Sequence, residues 1–171
     1  MTLICKASEK DSALLSNLAE LTFIESHGHS APAEDISNYI AEKYNEDIFK
    51  TELSNPENIY HFIYYNDKPA GFSKIIFNCA YEGSPLQNIT KLERIYILAA
   101  FYDQKLGQQL FQYDLDLAKQ NSQAGMWLYV WKENPRAVRF YQKNGFQITG
   151  SYDFHLSATH SNPNHQMLLR F

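Results

Sequence analysis

At Asn58 the hydrophobic period of the chain changes, and that change limits it to folds that mix helices with a sheet. Upstream, Leu14, Leu18 and Leu21 recur at i, i+4 and i+7, the spacing of one helix face. With Asp11 or Ser12 as N-cap they predict a helix from about Ser12 to Glu25. The segment from His27 to Ala33 breaks it. Pro32 can open a second helix striped by Ile36, Tyr39, Ile40 and Tyr44, and Ile48 to Leu53 reads as a short third. Downstream, Ile59 to Tyr65 and Ala70 to Phe77 are rich in β-branched and aromatic residues. They flank the turn Asn66-Asp67-Lys68-Pro69, the signature of a β-hairpin.

The rest of the chain alternates. Asn78 to Thr90 carries Gly83, Ser84, Pro85 and Asn88 and is an irregular connection, either at a substrate mouth or a plain surface loop. Leu92 to Leu98 is a strand. After Gly107 a helix follows, with Leu106, Leu110, Tyr113 and Leu117 as its apolar face and Gln108, Gln112, Asp116 and Lys119 opposite. Met126 to Trp131 is a strand, Pro135 to Lys143 a helix, Phe146 to Phe154 a strand and Gln166 to Phe171 a closing strand. Helices, a hairpin and then β-α-β-α-β-β define the mixed α/β (α+β) class. A chain of 171 residues holds one good core, so residues 1–171 are expected to form a single domain.

Charge excludes some functions. The net charge is −4, with acidic and basic residues interspersed, so nothing favours a nucleic acid as partner, and a cationic small molecule would be weakly attracted. Cys5 and Cys79 have no disulfide or zinc-ligand spacing, and a reducing cytoplasm suits them best. No apolar run reaches the length of a membrane span. His27 and His29 form an HxH with no third ligand nearby in sequence, so a metal site is not expected and both read as solvated loop histidines. His155, His160 and His165, in and around a Ser/Asn/Pro loop, read the same way.

Two segments carry chemistry. Between Ile97 and Leu110 a strand enters the turn Tyr102-Asp103-Gln104-Lys105-Leu106-Gly107 and passes directly into a helix. Such a turn aims backbone N–H groups and the positive helix end at an anion, usually phosphate. Gly107 opens the approach, and Lys105 can add charge. The second segment is a punctuated helix: Asn134 as N-cap, Pro135 at the first position and Gly145 as C-terminal cap.

Both segments resemble the motifs of the GNAT N-acetyltransferase superfamily. Leu92-Glu93-Arg94-Ile95-Tyr96-Ile97-Leu98 and the turn after it are similar to the cofactor-binding motif, usually Gln/Arg-x-x-Gly-x-Gly/Ala, which lands here on Tyr102, Lys105 and Gly107 and keeps only the last glycine. Asn134-x-x-Ala137-x-x-Phe140-Tyr141-x-x-x-Gly145-Phe146 matches the second motif at every position. The resemblance implies the GNAT acyl-CoA N-acyltransferase fold, a mixed, mostly antiparallel splayed sheet flanked by helices, with acetyl-CoA as co-substrate. It further implies that the backbone of Ile95, Tyr96 and Ile97 pairs with the pantetheine arm, and that an N–H near Ile97 polarises the acetyl carbonyl as an oxyanion hole. The turn from Tyr102 through Asp103, Gln104, Lys105 and Leu106 to Gly107 would cradle the pyrophosphate. Asn134 would touch the pantetheine or phosphates, and Tyr141 would lie beside the thioester sulfur.

A phenol of pKa about 10 stays protonated at neutral pH and can donate to the departing thiolate. The attacking amine, with a pKa near that of lysine at about 10.4, must first lose a proton. Glu93, on the same strand face as Ile95 and Ile97, is either the base or a residue that makes a structural ion pair or faces solvent. Tyr129, on the neighbouring strand, would shape the site. The strings Leu-Glu-Arg-Ile-Tyr-Ile-Leu and Trp-Leu-Tyr-Val-Trp-Lys-Glu-Asn most resemble bacterial spermidine/spermine N-acetyltransferase-like proteins, implying a small amine acceptor, with Glu25, Glu34 and Asp35 as anionic contacts for a polyamine. A protein or peptide amine, or a binding module without turnover, is the alternative. The resemblance leaves room for a homodimer.

Overall fold

A computed structural model describes residues 1–171. Strand β1 (Thr2–Lys6) precedes helices α1 (Ser12–His27), α2 (Ala33–Lys43) and α3 (Glu46–Ser54). Then come β2 (Ile59–Tyr65), β3 (Lys68–Ile76), β4 (Thr90–Ile97), α4 (Leu106–Gln120), β5 (Gly125–Trp131), α5 (Pro135–Lys143), β6 (Gln147–His155) and β7 (Ser161–Arg170). The seven strands form a mixed, mostly antiparallel sheet of order β1-β2-β3-β4-β5-β7-β6, flanked by helices. The chain divides into two compact units, residues 1–75 with 94–114, and residues 76–93 with 115–171.

In the first unit β1 pairs antiparallel with β2, and β2 with β3. Asn66 and Asp67 both take positive φ (47° and 61°), the geometry of a two-residue hairpin turn whose twist suits its strands. The turn is therefore shorter than Asn66–Pro69, and a bulge between Ile63 and Tyr64 brings Pro69 into the ladder opposite Tyr64. Gly71 lies where β3 meets β4: a Cβ there would collide with the Tyr96 carbonyl oxygen and sit 2.7 Å from Ile97 Cδ1. Next to it, Leu98 N–H donates to Ala70 O (2.9 Å). Ile63, Ala70, Leu106 and Leu110 form a buried cluster against which Ile4, Ile95, Ile97 and Phe101 pack.

In the second unit β5 pairs antiparallel with β7, β7 with β6, and β4 runs parallel to β5 through Thr90 and Lys91. The 78–90 connection is anchored there, by Asn78 N–H to Gln123 Oε1 (2.9 Å), Ala124 N–H to Asn88 O (2.8 Å) and Trp127 Nε1–H to Cys79 O (2.6 Å).

Four expectations are corrected. β1 has no counterpart in the sequence reading, because five residues with one isolated alternation give too little period. β7 begins at Ser161 rather than Gln166: Asn162-Pro163-Asn164 is turn vocabulary, yet Pro163 pairs with Asp153, and its carbonyl accepts Lys132 N–H (2.9 Å). His165 is accordingly no loop histidine but lies opposite Val130 and Ser151. On α4 the buried stripe is Leu106, Leu110, Phe111, Asp114, Leu115 and Ala118, while Tyr113 is 41% exposed.

Candidate active site

The turn between β4 and α4 has the backbone geometry that an anion site needs. A short 3₁₀ turn (Ala99–Phe101) ends β4, and Tyr102 N–H closes it on Ala99 O (3.1 Å). Asp103 and Lys105 then take left-handed conformations (φ 65° and 58°). Lys105 O accepts Gln109 N–H (3.1 Å), so the amides of the first turn of α4 lie ahead of the intrahelical ladder. A Cβ on Gly107 would meet only Ile97 Cγ1, at an ordinary 3.6 Å. The fold itself does not require glycine there. These residues fit a pyrophosphate, which first-turn amides would hold; the Tyr102 amide is already committed to Ala99.

Lys105 also explains its own departure from the motif. Where the motif has glycine, this chain holds the glycine conformation with a lysine (φ 58°), at the strain a non-glycine residue carries at positive φ.

Along β4, alternation divides the functional side chains. Ile95 and Ile97 pack against Leu106 and Leu110. Arg94 and Tyr96 turn to the other side, where the Arg94 guanidinium lies over the rings of Tyr44 (5.4 Å) and Phe49 (5.5 Å). It donates to Tyr60 Oη (2.7 Å) and, at 3.5 Å, to Glu52. Lys74 bonds the same carboxylate at 2.8 Å, and Tyr60 also donates to it. Burial raises the Glu52 carboxyl, but Arg94, Lys74 and Tyr60 together hold it below the usual carboxylate range. Burial pushes the Tyr96 phenol well above its ordinary value.

His27 is not a solvated loop histidine. It ends α1, stacks on Phe23 (5.0 Å, 13°) and meets Tyr96 edge-on (6.3 Å). Burial first, and His29 second, lower its pKa to about 4, so the imidazole is neutral at physiological pH. Ser26 Oγ donates to Thr22 O (2.7 Å) and lies 2.7 Å from His27 Nδ1. Of the carboxylates, Glu25 accepts Ala99 N–H (2.8 Å), and Glu34 and Asp35 lie in the first turn of α2.

Glu93 lies 3.5 Å from Lys91, whose ammonium also sits over the Trp127 ring (5.4 Å). Tyr129 stacks on Tyr152 (4.3 Å, 18°), and burial raises its phenol. On α5, Asn134 Oδ1 accepts Ala137 N–H (3.1 Å), which leaves the Nδ2 donor outside the cap. Gly145 closes the helix at φ 92°. Tyr141 is 8% exposed, with Phe140 and Phe146 packed edge-on against its ring.

Known proteins share this fold. Among solved structures, the PaiA N-acetyltransferase of Thermoplasma acidophilum in complex with coenzyme A superposes with a TM-score of 0.81 at 20% identity, over 100% of this chain and 99% of that one. The ribosomal-protein-S18-alanine N-acetyltransferase of Escherichia coli does so with a TM-score of 0.73 at 17% identity, over 99% and 94%. An uncharacterized N-acetyltransferase of Lactobacillus delbrueckii subsp. lactis is 29% identical over 142 residues, 83% of this chain and 82% of its own length. The model of the acetyltransferase (GNAT) family matches residues 16–146. That match spans β4, the anion turn and α5 to its C-terminal cap, so the chain belongs to the GNAT family and is an acetyl-CoA-dependent N-acetyltransferase.

Proposed function

We propose that the enzyme, acting as one domain over residues 1–171, moves the acetyl group of acetyl-CoA to the primary amine of a small acceptor by direct attack in a ternary complex. The observation that carries this reading is the turn before α4, where left-handed Asp103 and Lys105 and an open Gly107 present backbone amides at a helix N-terminus. The Ile97 N–H then polarises the acetyl carbonyl, Tyr141 donates to the departing sulfur, and Asn134 uses Nδ2 toward the pantetheine arm. Glu93 takes the proton of the amine, directly or through water.

A polyamine is the first acceptor to test, on the resemblance of the β4 and β5 strings. The fold does not choose the acceptor, since it is shared with the ribosomal-protein-S18-alanine N-acetyltransferase of Escherichia coli. Thiol release from acetyl-CoA, followed over a panel of polyamines, arylalkylamines and peptide N-termini, decides between these classes. Tyr141→Phe should lower kcat by roughly 10²-fold or more, the usual contribution of a positioned acid, with acetyl-CoA KM little changed. Wild-type kcat in that variant removes Tyr141 from its role, and bound CoA without turnover on any amine would identify a binding module instead.

A further inference from the structure

Helix α4 carries a carboxylate in the middle of its apolar stripe. Asp114 is 0% exposed, and its Oδ1 accepts a hydrogen bond from Nδ1 of His61 on β2 (2.8 Å), itself 1% exposed. The Tyr113 ring covers the imidazole edge-on at 4.9 Å. Across the hairpin His61 faces Ser73 on β3, also fully buried. Asp114 Oδ2 and Ser73 Oγ have no hydrogen-bond partner. A half-satisfied polar group in a core is less stable than a leucine of similar size, so this group is poorly explained by stability.

Its position supplies another reason. Asp114 lies seven residues beyond Gly107, about 10 Å along the helix axis. On either side of Gly107, Leu106 and Leu110 fasten α4 to Ile63, Ile95 and Ile97 through apolar contacts. Apolar contacts are non-directional and do not by themselves fix the slide or roll of a helix. A hydrogen bond tolerates little of either. His61 belongs to β2, which is in register with β3, and β3 is bonded to the end of β4 through Ala70 O and Leu98 N–H (2.9 Å).

We propose that Asp114 and His61 are positioning residues: their hydrogen bond sets the height and rotation of α4 and so aims the amides around Leu106–Gly107 at the pyrophosphate of acetyl-CoA, relative to the Ile97 N–H that holds the acetyl group. This rests on the cofactor reading of the Tyr102–Gly107 turn.

Calorimetric titration of the full-length protein with CoA, alongside steady-state kinetics, tests it. Asp114→Leu and His61→Leu should each raise the CoA Kd and the acetyl-CoA KM on the order of tenfold, a fraction of the hundredfold that a full ångström of misplacement costs. The kcat at saturating acetyl-CoA should fall much less. The double variant should be no worse than either single, because the two act as a unit. Asp114→Asn keeps an oxygen for the Nδ1–H and should restore affinity to within about twofold of wild type.

A merely structural pair would lower the melting temperature and leave Kd untouched. The double Leu variant decides, since it strands neither a carboxylate nor an imidazole. If it is folded by near-UV circular dichroism and binds CoA as wild type, the inference fails. If it does not fold, the pair is a requirement of the fold and the inference fails equally. Gly107→Glu in the same titration separates the two layers. CoA binding unaffected by a carboxylate in the turn would overturn the cofactor reading, whereas binding lost there and retained in the Asp114 and His61 variants would overturn only the positioning role.

Discussion

At the scale of single residues, the turn before α4 separates what the fold needs from what the ligand needs. Gly107 has room for a Cβ, and alanine is the better helix former by up to about 1 kcal/mol. Gly107→Ala is therefore expected to melt no lower than wild type while binding CoA more weakly, by differential scanning fluorimetry and calorimetry; unchanged affinity would move the phosphates elsewhere. Lys105 is the converse case, because its φ of 58° carries strain of about 1 kcal/mol that glycine lacks. Lys105→Gly should raise stability to urea by about that amount, and a loss of stability would show that the side chain has a structural partner. His27 gives a pH dependence with a definite sign. Its pKa falls from 6.5 to about 4 on folding, so between those values the unfolded chain binds more protons than the folded one. Stability should be full above pH 6.5, fall as the pH drops toward 4, and level off below. The fall attributable to this residue is at most about 3 kcal/mol. His27→Phe keeps a ring on Phe23 and should flatten this part of the melting-temperature profile, whereas an unaltered profile would assign the acid sensitivity elsewhere.

Elements were readable where local grammar and tertiary packing ask for the same residues. α5 is the clearest example, for Asn134, Pro135 and Gly145 punctuate it in sequence and cap it in the structure. On α4 the expected Tyr113 and Leu117 fall a step out of phase with the buried Asp114 and Ala118, and a carboxylate at position 114 carries no sequence sign of burial. Only the placement of His61, far away in sequence, reveals it as core. β1 and the start of β7 escaped for a related reason: their pairing is supplied by partners distant in the chain, which outweigh a short period and the turn-like Asn162-Pro163-Asn164. Of the candidate site, the anion turn and α5 were visible because their motifs are local. The ring contacts that hold His27 against Phe23 and Tyr96 were not, since no spacing encodes them. Asn134 lets the structural and ligand roles of α5 be separated. Asn134→Ala should cost about 1 kcal/mol through the lost cap. Asn134→Asp retains a capping oxygen and removes the Nδ2 donor. The aspartate variant is expected to keep wild-type stability yet show a raised acetyl-CoA KM, and an unchanged KM would leave Asn134 only its capping role.

For the whole molecule, two compact units raise the question of whether they unfold separately. Chain continuity argues against it. β4 begins in the second unit and ends in the first, and α4 begins in the first and ends in the second. Unfolding either unit alone would cut a strand and a helix in mid-element, discarding backbone hydrogen bonds whose partners would be left without replacement. The shared helix also carries the cofactor turn at one end and Asp114 at the boundary. Calorimetry should therefore show one cooperative transition, with calorimetric and van't Hoff enthalpies equal. CoA at about 100 times its Kd should shift that single transition upward, by a stabilisation of about 2.7 kcal/mol, corresponding to about 5–11 °C for a chain of this size. Two resolved transitions, with only one moved by CoA, would make the units independent and confine cofactor binding to the unit that moves. A single transition that shifts as a whole means that β4 and α4 couple the binding turn to every strand of the sheet.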